Sequence, residues 1–275
     1  MKKPILSIIT VNYNNKNGLI KTLQSIKAQT YIDYEHIIID ANSTDGSKEV
    51  ISEYSRTTPH LIYWISEPDK GIYDGMNKGI SQANGEYLYF LNSGDYLLDG
   101  VLSNISFDGT QYIYGDVMLG EGREDIKNKH IAPPDYPSLY FFLYDSLPHQ
   151  ACFIHHSLFT NKLYDTRYEI ISDWGHSFQS IILEKCSYRH IPCIVVEYDG
   201  NGVSSNYTTA QAERLQWLKD NLSEQLYSAL MDIQEYNNSK FKSIIPIMNK
   251  TRKFQKRAWK LVNFLLKINT KFSAH

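Results

Sequence analysis

The 275-residue chain is 42% hydrophobic and 21% charged with a net charge of −2, a composition that excludes an intrinsically disordered protein. No window approaches the ~20 apolar residues that span a bilayer, and asparagines interrupt the apolar run at residues 5–11, so neither a membrane-spanning helix nor a signal peptide is expected. The three cysteines, Cys152, Cys186 and Cys193, are too widely spaced for a disulfide framework and indicate a cytoplasmic protein.

The first hundred residues alternate between short apolar runs and amphipathic stretches. Apolar, β-branched runs predict strands over residues 5–11, 34–39, 61–65 and 87–91. Helical periodicity predicts helices over residues 17–29, 43–54 and 71–83. This alternation predicts an α/β fold with a mostly parallel sheet and helices on both of its faces. Ligands bind such sheets beyond the carboxyl ends of the strands.

The second half of the chain is less regular. Strands are predicted over residues 112–117, 151–155 and 191–198, and a helix over residues 172–183. From residue 208 to the end the pattern is helical, with a break near Pro246. We therefore predict one α/β domain over residues 1–205, followed by a helical region over residues 206–275.

Polar side chains follow three of the early strands. Asp40 follows the second strand, Glu67 and Asp69 follow the third, and the segment 92–95 (Asn-Ser-Gly-Asp) follows the fourth. Carboxylates gathered at one edge repel each other unless a cation or hydrogen-bond donors compensate, and their hard oxygens suit Mg²⁺ or Mn²⁺. The alternative for each residue alone is a helix cap or a turn, since Asp and Asn are common there in any α/β protein.

Four ordered sequence blocks in this half resemble the inverting glycosyltransferases of family 2, which have the GT-A fold. The blocks are residues 6–14 (LSIITVNYN), 39–46 (IDANSTDG), 67–80 (EPDKGIYDGMNKGI) and 90–95 (FLNSGD). The resemblance weakens after residue 120, although residues 147–151 and 171–174 are still similar to family features. It implies a Rossmann-like catalytic domain in which residues 1–100 bind a nucleotide-sugar and residues 101–205 bind the acceptor.

The resemblance also implies residues for the donor site. Asp40 would accept a hydrogen bond from the nucleotide base, and Thr10 and Tyr13 would lie at the base and ribose. The matching blocks extend the nucleotide-sugar site to a further set of residues: Asp69, Lys70, Asp74, Asn92 and Ser93.

The segment 92–95 corresponds to the family's DxD-type element, which holds a divalent metal against the donor diphosphate. Here Asn92 replaces the first acid and Gly94 occupies the position of the second. Asp95 is then the candidate metal ligand, with Mn²⁺ or Mg²⁺ as the cofactor neutralising the leaving diphosphate.

An inverting transfer needs a base for the acceptor hydroxyl, and the family supplies a carboxylate at the start of a helix in the second half. Asp173 fits that pattern and is the candidate base, with Glu169 and Asp165 as substitutes; the alternative for Asp173 is a helix cap. His149 and Trp174 are the candidate acceptor contacts. The implied activity is transfer of a hexosyl or N-acetylhexosaminyl group, with UDP-sugar as the expected donor, to a glycan or lipid-linked acceptor of capsule or lipopolysaccharide type.

The charge is divided unevenly along the chain. Ten of the 28 Lys and Arg residues lie from Lys240 onward, where there is no Asp or Glu, so the rest of the chain is strongly acidic. That acidic body argues against nucleic acid as a partner. Within residues 250–272 one apolar stripe has helical spacing: Phe254, Ala258, Leu261, Leu265, Ile268 and Phe272.

A basic amphipathic helix favours an anionic membrane surface, which would place the protein peripherally on the inner face of the cytoplasmic membrane. The alternative is that the stripe packs on the catalytic domain or on a second copy of the chain.

Two other functions stay open at this point. A sugar nucleotidyltransferase also uses an α/β nucleotide fold with a metal, but residues 12–18 offer only one Lys and one Gly for a phosphate-binding loop. A non-catalytic nucleotide- or glycan-binding protein on the same scaffold is the third hypothesis, because the acidic metal element is reduced to Asp95.

Overall fold

The computed structural model describes residues 3–120, 129–198 and 206–238. In its first half, strands alternate with helices as the hydrophobic pattern predicts. The elements of this half are β1 (Leu6–Asn12), α1 (Lys16–Lys27), β2 (Tyr34–Asp40), α2 (Ser47–Thr57), β3 (Leu61–Ser66), α3 (Ile72–Gln82) and β4 (Tyr87–Phe90). The four strands are parallel and lie in the order β3-β2-β1-β4.

The second half adds strands in both directions. Its elements are β5 (Tyr96–Leu97), β6 (Tyr112–Leu119), β7 (Lys129–Ile131), α4 (Leu139–Tyr144), β8 (Cys152–His155), α5 (Ser172–Phe178), β9 (Tyr188–Tyr198), α6 (Tyr207–Asn221) and α7 (Glu224–Asn238). The described strands form one mixed sheet in the order β3-β2-β1-β4-β8-β6-β9-β5, with β7 paired to β6. The predicted α/β class is confirmed, and each antiparallel pair includes at least one strand of this half.

The helices of the second half differ in detail from the predicted ones. α5 ends at Phe178, and the chain continues as a π-helical turn over Gln179–Leu183. The helical region after residue 208 is interrupted at Ser223, whose hydroxyl accepts a hydrogen bond from the backbone N–H of Leu226 (3.3 Å) and so starts a new helix. Residues 239–275, with the predicted break near Pro246 and the predicted basic amphipathic helix, lie outside the described residues.

The strand directions bring both halves to one edge of the sheet. β8 is antiparallel to β4 and to β6, so β6 runs in the same direction as β1–β4. Leu88 of β4 and Tyr112 of β6 both pair with Ile154 of β8, so these two residues lie at the same level of the sheet. Asn92 and Asp116 each follow four residues later and therefore also lie at one level. With strands about 4.8 Å apart, Asp116 of β6 lies two strands from Asn92, at the level where β4 has ended.

Helix α3 packs closely on β1 because it carries glycines on its inner face. A Cβ atom on Gly79 would lie 2.4 Å from Ile9 Cγ2, and one on Gly75 would lie 2.9 Å from Val11 Cγ1. Real Cβ atoms do not approach so closely, so only glycine permits this distance. The close approach brings Tyr73, at the start of α3, near the edge of the sheet.

The chain divides into two compact units, Met1–Gln216 and Trp217–His275. The sheet and most of α6 belong to the first unit. The predicted division between residues 205 and 206, and the roles predicted for residues 1–100 and 101–205, stay predictions. In the described ranges no helix is long and apolar enough to cross a membrane.

Candidate functional site

The carboxylate of Asp40 lies at the end of β2 and is fully buried. Its Oδ1 accepts hydrogen bonds from Asn12 Nδ2 (2.7 Å) and Ser43 Oγ (2.6 Å), and its Oδ2 accepts from the Ser43 N–H (2.9 Å) and from Ser66 Oγ. Four donors satisfy the carboxylate without a cation, which is what makes its burial tolerable. The structure thus places Asp40 at the predicted edge, covered by its own hydrogen-bond partners.

The loop after β1 is fixed to the loop after β2. The Asn14 N–H donates to Ser43 Oγ (2.8 Å), and Asn14 Oδ1 accepts from the Thr44 N–H (2.8 Å). Asn14 has a positive φ of 47°, a conformation that asparagine tolerates better than most residues. Tyr13, which precedes Asn14 in this fixed loop, is 67% exposed, so its ring is available to a ligand at the edge beside Asp40.

Thr10 is placed differently from Tyr13. It is fully buried, and its Oγ1 lies 3.0 Å from His36 Nε2. Burial lowers the pKa of His36 to about 3, so this ring is neutral at physiological pH. Thr10 lies two residues before the end of β1, whereas a contact with the nucleotide would be made at the edge where the strand ends. The predicted contact of Thr10 with the nucleotide stays a prediction.

The segment between β3 and α3 holds itself in a tight turn. Asp69 Oδ1 accepts from the Gly71 N–H (3.0 Å), and Asp74 Oδ2 accepts from the Lys70 N–H (3.0 Å). Burial raises the pKa of Asp69, while the Gly71 hydrogen bond and the charge of Lys78 oppose the rise. The side chain of Lys70 is exposed, so this predicted donor ligand projects into solvent from a fixed backbone.

The segment Asn92–Asp95 continues β4 beside the end of β1. The Ser93 N–H donates to the Val11 carbonyl oxygen (3.1 Å), and the Asp95 N–H turns back to the Asn92 carbonyl oxygen (3.1 Å). Gly94, at φ 110°, permits this turn. Asp95 is 9% exposed.

Two buried amide oxygens at this edge, Asn12 Oδ1 and Asn92 Oδ1, have no hydrogen-bond partner among the described residues. A buried polar atom left without a partner costs roughly 1–3 kcal/mol. Such atoms at the edge that also carries Asp95 are oxygen ligands of the kind that a hard cation or a ligand donor group would satisfy. Among the described residues, no group of three or more His, Cys, Asp or Glu side chains is arranged to hold a metal ion.

Asp173 lies in the first turn of α5 and is bound from α3. Tyr73 Oη lies 2.6 Å from Asp173 Oδ1 and 2.7 Å from the Ile170 carbonyl oxygen, so its one proton is shared between two acceptors. Burial, reinforced by the charge of Asp173, raises the pKa of Tyr73 well above its usual value, so the hydroxyl keeps its proton. Tyr73 belongs to the same segment as Asp69 and Asp74, and it therefore connects that segment to the predicted base.

The two substitute bases are less suited to the role. Asp165 accepts hydrogen bonds from Arg167 Nε (3.0 Å) and Nη2 (2.7 Å), which lower its pKa. The side chain of Glu169 is exposed. Neither receives a bond from α3, whereas Asp173 does.

Helix α6 holds the Asp173 segment from the other side. Glu213 Oε1 and Oε2 accept from the backbone N–H groups of Glu169 (2.8 Å) and Ile170 (3.0 Å). The guanidinium of Arg214 lies 5.3 Å from the centre of the Trp174 ring. Burial lowers the pKa of Arg214, and the charge of Asp173 opposes this shift, so the two groups are electrostatic neighbours. Tyr73, Glu213 and Arg214 were not predicted, since only the fold brings them to Asp173.

The two predicted acceptor contacts are packed into the interior. Trp174 is 2% exposed, and its Nε1 donates to the Phe142 carbonyl oxygen (3.0 Å). His149 is 8% exposed, stacks on Phe90 and lies 2.9 Å from Tyr164 Oη; burial lowers its pKa. In this structure both side chains support the site from within, and their contact with an acceptor stays a prediction.

A family model described as glycosyl transferase family 2 matches residues 7–165. An uncharacterized glycosyltransferase of Mycobacterium tuberculosis is 32% identical over 220 residues, which cover 74% of this chain and 78% of the relative. A PGL/p-HBAD biosynthesis glycosyltransferase of Mycobacterium bovis is 28% identical over 213 residues, covering 75% of this chain and 81% of the relative.

Solved structures match the fold at low sequence identity. S. aureus TarS 1-349 in complex with UDP-GlcNAc has a TM-score of 0.61 at 15% identity, covering 91% of this chain and 77% of that chain. This chain spans 46% of the longer TarS chain. The mannosyltransferase PcManGT from Pyrobaculum calidifontis, in complex with GDP-Man and Mn²⁺, has a TM-score of 0.60 at 14% identity. The match covers 96% of this chain and 81% of that chain. The predicted GT-A fold is confirmed.

The bond between Tyr73 and Asp173 predicts a measurable loss of stability. In Tyr73→Phe, Asp173 and the Ile170 carbonyl lose a buried donor, so the free energy of unfolding should fall by about 1.5–3 kcal/mol in urea denaturation. Tyr13→Phe removes an exposed hydroxyl and is the matched control, with an expected change within about 0.5 kcal/mol. Equal, small changes in both variants would show that the bond does not hold the segment.

Proposed function

Since the chain belongs to glycosyl transferase family 2, we propose that it moves a hexosyl or N-acetylhexosaminyl group from a nucleotide-diphosphate donor, with UDP-sugar as the first expectation. The acceptor is a hydroxyl of a glycan or of a lipid-linked glycan, and the transfer is a single displacement with inversion. One observation carries the proposal: the segment that approaches the donor edge also holds Asp173, through Tyr73. The nucleotidyltransferase hypothesis is set aside, because the family and the relatives identify a glycosyltransferase.

Donor binding is assigned to the edge formed by β1, β2 and β4. Asp40 and Tyr13 would receive the base and ribose, and the fixed turn with Lys70 would approach the diphosphate. Asp40 is a carboxylate acceptor, which suits the imide N–H of uracil, once the base replaces one of the hydroxyl donors around it. TarS has been solved with UDP-GlcNAc and PcManGT with GDP-Man, which supports a nucleotide-sugar as the donor class.

A divalent cation fits the residues at the same edge. Asp95 supplies a carboxylate, and Asn12 Oδ1 and Asn92 Oδ1 are buried oxygens without partners among the described residues. Mg²⁺ is commonly bound by one or two carboxylates together with substrate phosphates, so one carboxylate from the protein agrees with such a site. Bound there, Mn²⁺ or Mg²⁺ would supply positive charge to the leaving diphosphate. The Mn²⁺ complex of PcManGT supports this proposal.

Asp173 is the proposed base. The acceptor oxygen forms a bond to the anomeric carbon while its proton passes to Asp173, and the bond from that carbon to the diphosphate oxygen breaks with its electrons. Tyr73 donates to Asp173 Oδ1 and keeps its own proton, so it positions the carboxylate without competing for the transferred proton. Glu213 fixes the backbone at Glu169 and Ile170, just before α5.

Donor and metal binding can be measured together by thermal denaturation. UDP-sugars and GDP-sugars are titrated with and without MnCl₂, and a ligand at 100 times its Kd should stabilise the protein by about 2.7 kcal/mol. We expect Asp95→Ala to lose the manganese-dependent part of that stabilisation. Asp173→Asn should keep all of it, because the base does not bind the donor diphosphate.

Glycoside formation separates binding from catalysis in the same proteins. The wild-type chain should consume the donor that stabilises it, and Asp173→Asn should lose nearly all of this turnover. Stabilisation without turnover in the wild type would instead favour the non-catalytic binding protein. Full manganese dependence in Asp95→Ala would contradict the assigned metal ligand.

We also propose that residues 250–272 bind an anionic membrane surface and keep a cytoplasmic enzyme at its lipid-linked acceptor. The support is the sequence alone: a stripe of apolar residues in a segment that has basic and no acidic side chains. Each basic residue near such a surface contributes about 1 kcal/mol.

Vesicle sedimentation tests the membrane proposal. The full chain should sediment with phosphatidylglycerol vesicles and stay in solution with phosphatidylcholine alone, and added salt should weaken the binding. A chain ending at residue 249 should stay in solution with both. Equal sedimentation of the full and shortened chains would contradict membrane binding through residues 250–272.

A further inference from the structure

We propose that the outer surface of α4 binds the sugar ring of the acceptor. This surface, called here the α4 surface, comprises Asp135, Tyr136, Tyr140, Tyr144 and Asp145. The inference rests on the proposed function, because it names the place where the acceptor of that reaction is held. Recognition of the acceptor is thereby assigned to residues outside the sequence blocks that carry the family resemblance.

Three tyrosines within nine residues expose their rings here. Tyr136 is 80% exposed, Tyr140 is 51% exposed and Tyr144 is 38% exposed. The rings of Tyr140 and Tyr144, one helical turn apart, have centres 5.0 Å apart and are inclined by 49°. On the inner side of the same helix, Phe142 and Leu143 are buried, so packing determines which face of α4 meets solvent.

The composition of the α4 surface suits a sugar better than other ligands. A pyranose ring has an apolar face of C–H groups that packs on an aromatic ring, and hydroxyls at its edge that donate to carboxylates. Tyr140 and Tyr144 offer the rings, and Asp135 and Asp145 are exposed acceptors at the two ends of the segment. A lipid chain would require aliphatic side chains, and a phosphate would require Lys or Arg side chains, neither of which is among the residues of the α4 surface.

Asp135 is held rigidly although its side chain is 73% exposed. Its Oδ1 lies 2.6 Å from His190 Nδ1, and His190 Nε2 lies 2.7 Å from Oδ1 of Asp116. The side chains of His190 and Asp116 are only 7% and 5% exposed. His190 therefore bridges the two carboxylates, one at each ring nitrogen. An exposed carboxylate anchored through a buried histidine is pre-organised for a ligand.

The neighbouring strands complete this anchor. His130 Nε2 lies 2.7 Å from Oδ2 of Asp116, so both carboxylate oxygens of Asp116 are used. The Tyr114 ring stacks on His190 with centres 5.3 Å apart, and its hydroxyl lies 2.8 Å from the Pro134 carbonyl oxygen. The chain leading into α4 is therefore tied to β6, β7 and β9 before the exposed tyrosines begin.

The α4 surface is connected to the proposed base. Trp174, next to Asp173, donates from Nε1 to the Phe142 carbonyl oxygen of α4 (3.0 Å), and Phe142 packs on Phe178 of α5. The charge of Arg214 interacts with both Asp173 and Asp145. Arg214 is thus an electrostatic neighbour of both Asp173 and the Asp145 end of α4, so an acceptor held at that end of the α4 surface would extend towards Asp173. Trp174 would act through α4 as a positioning residue.

Saturation-transfer NMR tests the α4 surface without requiring turnover. The probes are p-nitrophenyl glycosides of common hexoses and N-acetylhexosamines. We expect wild-type protein to saturate the ring C–H protons of at least one glycoside, and Tyr140→Ala/Tyr144→Ala to lose that signal. Ile32→Ala/Ile62→Ala removes two exposed side chains elsewhere and is the matched control, with the signal unchanged. Asp135→Asn should weaken binding while leaving the tyrosines in place.

Kinetics with the same glycoside provide a second readout. The double tyrosine variant should raise KM for the glycoside roughly 10-fold and leave the stabilisation by donor unchanged. The proposal is overturned if the variant binds as the wild type does, if the wild type binds no glycoside, or if saturation is confined to the p-nitrophenyl group. Absence of donor stabilisation in the wild type would count against the proposed function instead, since glycoside binding is measured separately.

Discussion

The hydrogen bond from Tyr73 to Asp173 joins the two halves of the site. It exists because α3 lies against β1 at a distance that only glycine at positions 75 and 79 permits. A larger residue at position 79 would push the helix away from Ile9 and move the Tyr73 hydroxyl from its acceptor. The proposed donor segment and the proposed base are thus positioned by one packing contact, and the geometry of the proposed transfer depends on it.

Electrostatic compensation differs between the two sides of the site. On the donor side, Asp40 is satisfied by four hydrogen-bond donors, while the amide oxygens of Asn12 and Asn92 are left without partners in the described part of the chain. On the proposed acceptor side, His190 lies between the carboxylates of Asp116 and Asp135 and contacts both. The proposed donor edge therefore has oxygen atoms for a cation, whereas the proposed acceptor side presents exposed tyrosine rings and an anchored carboxylate.

The strands and helices of the first half could be predicted from the sequence because their hydrophobic periods are clear. Asp40 and Asp95 could be predicted to lie at one edge, because both follow parallel strands whose carboxyl ends meet there. It did not predict α4, whose six residues are too few to show a period. The burial of Thr10, His149 and Trp174 could not be predicted, because it depends on packing across the sheet; their contacts with a ligand stay predictions. Tyr73, Glu213 and Arg214 could not be found, since they meet Asp173 from helices far away in the chain.

The stereochemistry of the product tests the central claim most directly. The glycoside formed from the donor that stabilises the protein is analysed by NMR, and the one-bond coupling constant between its anomeric carbon and proton gives the configuration. A single displacement with Asp173 as the base predicts the configuration opposite to that of the donor. Retention of the donor configuration would contradict the account, because it requires two displacements or a front-side attack.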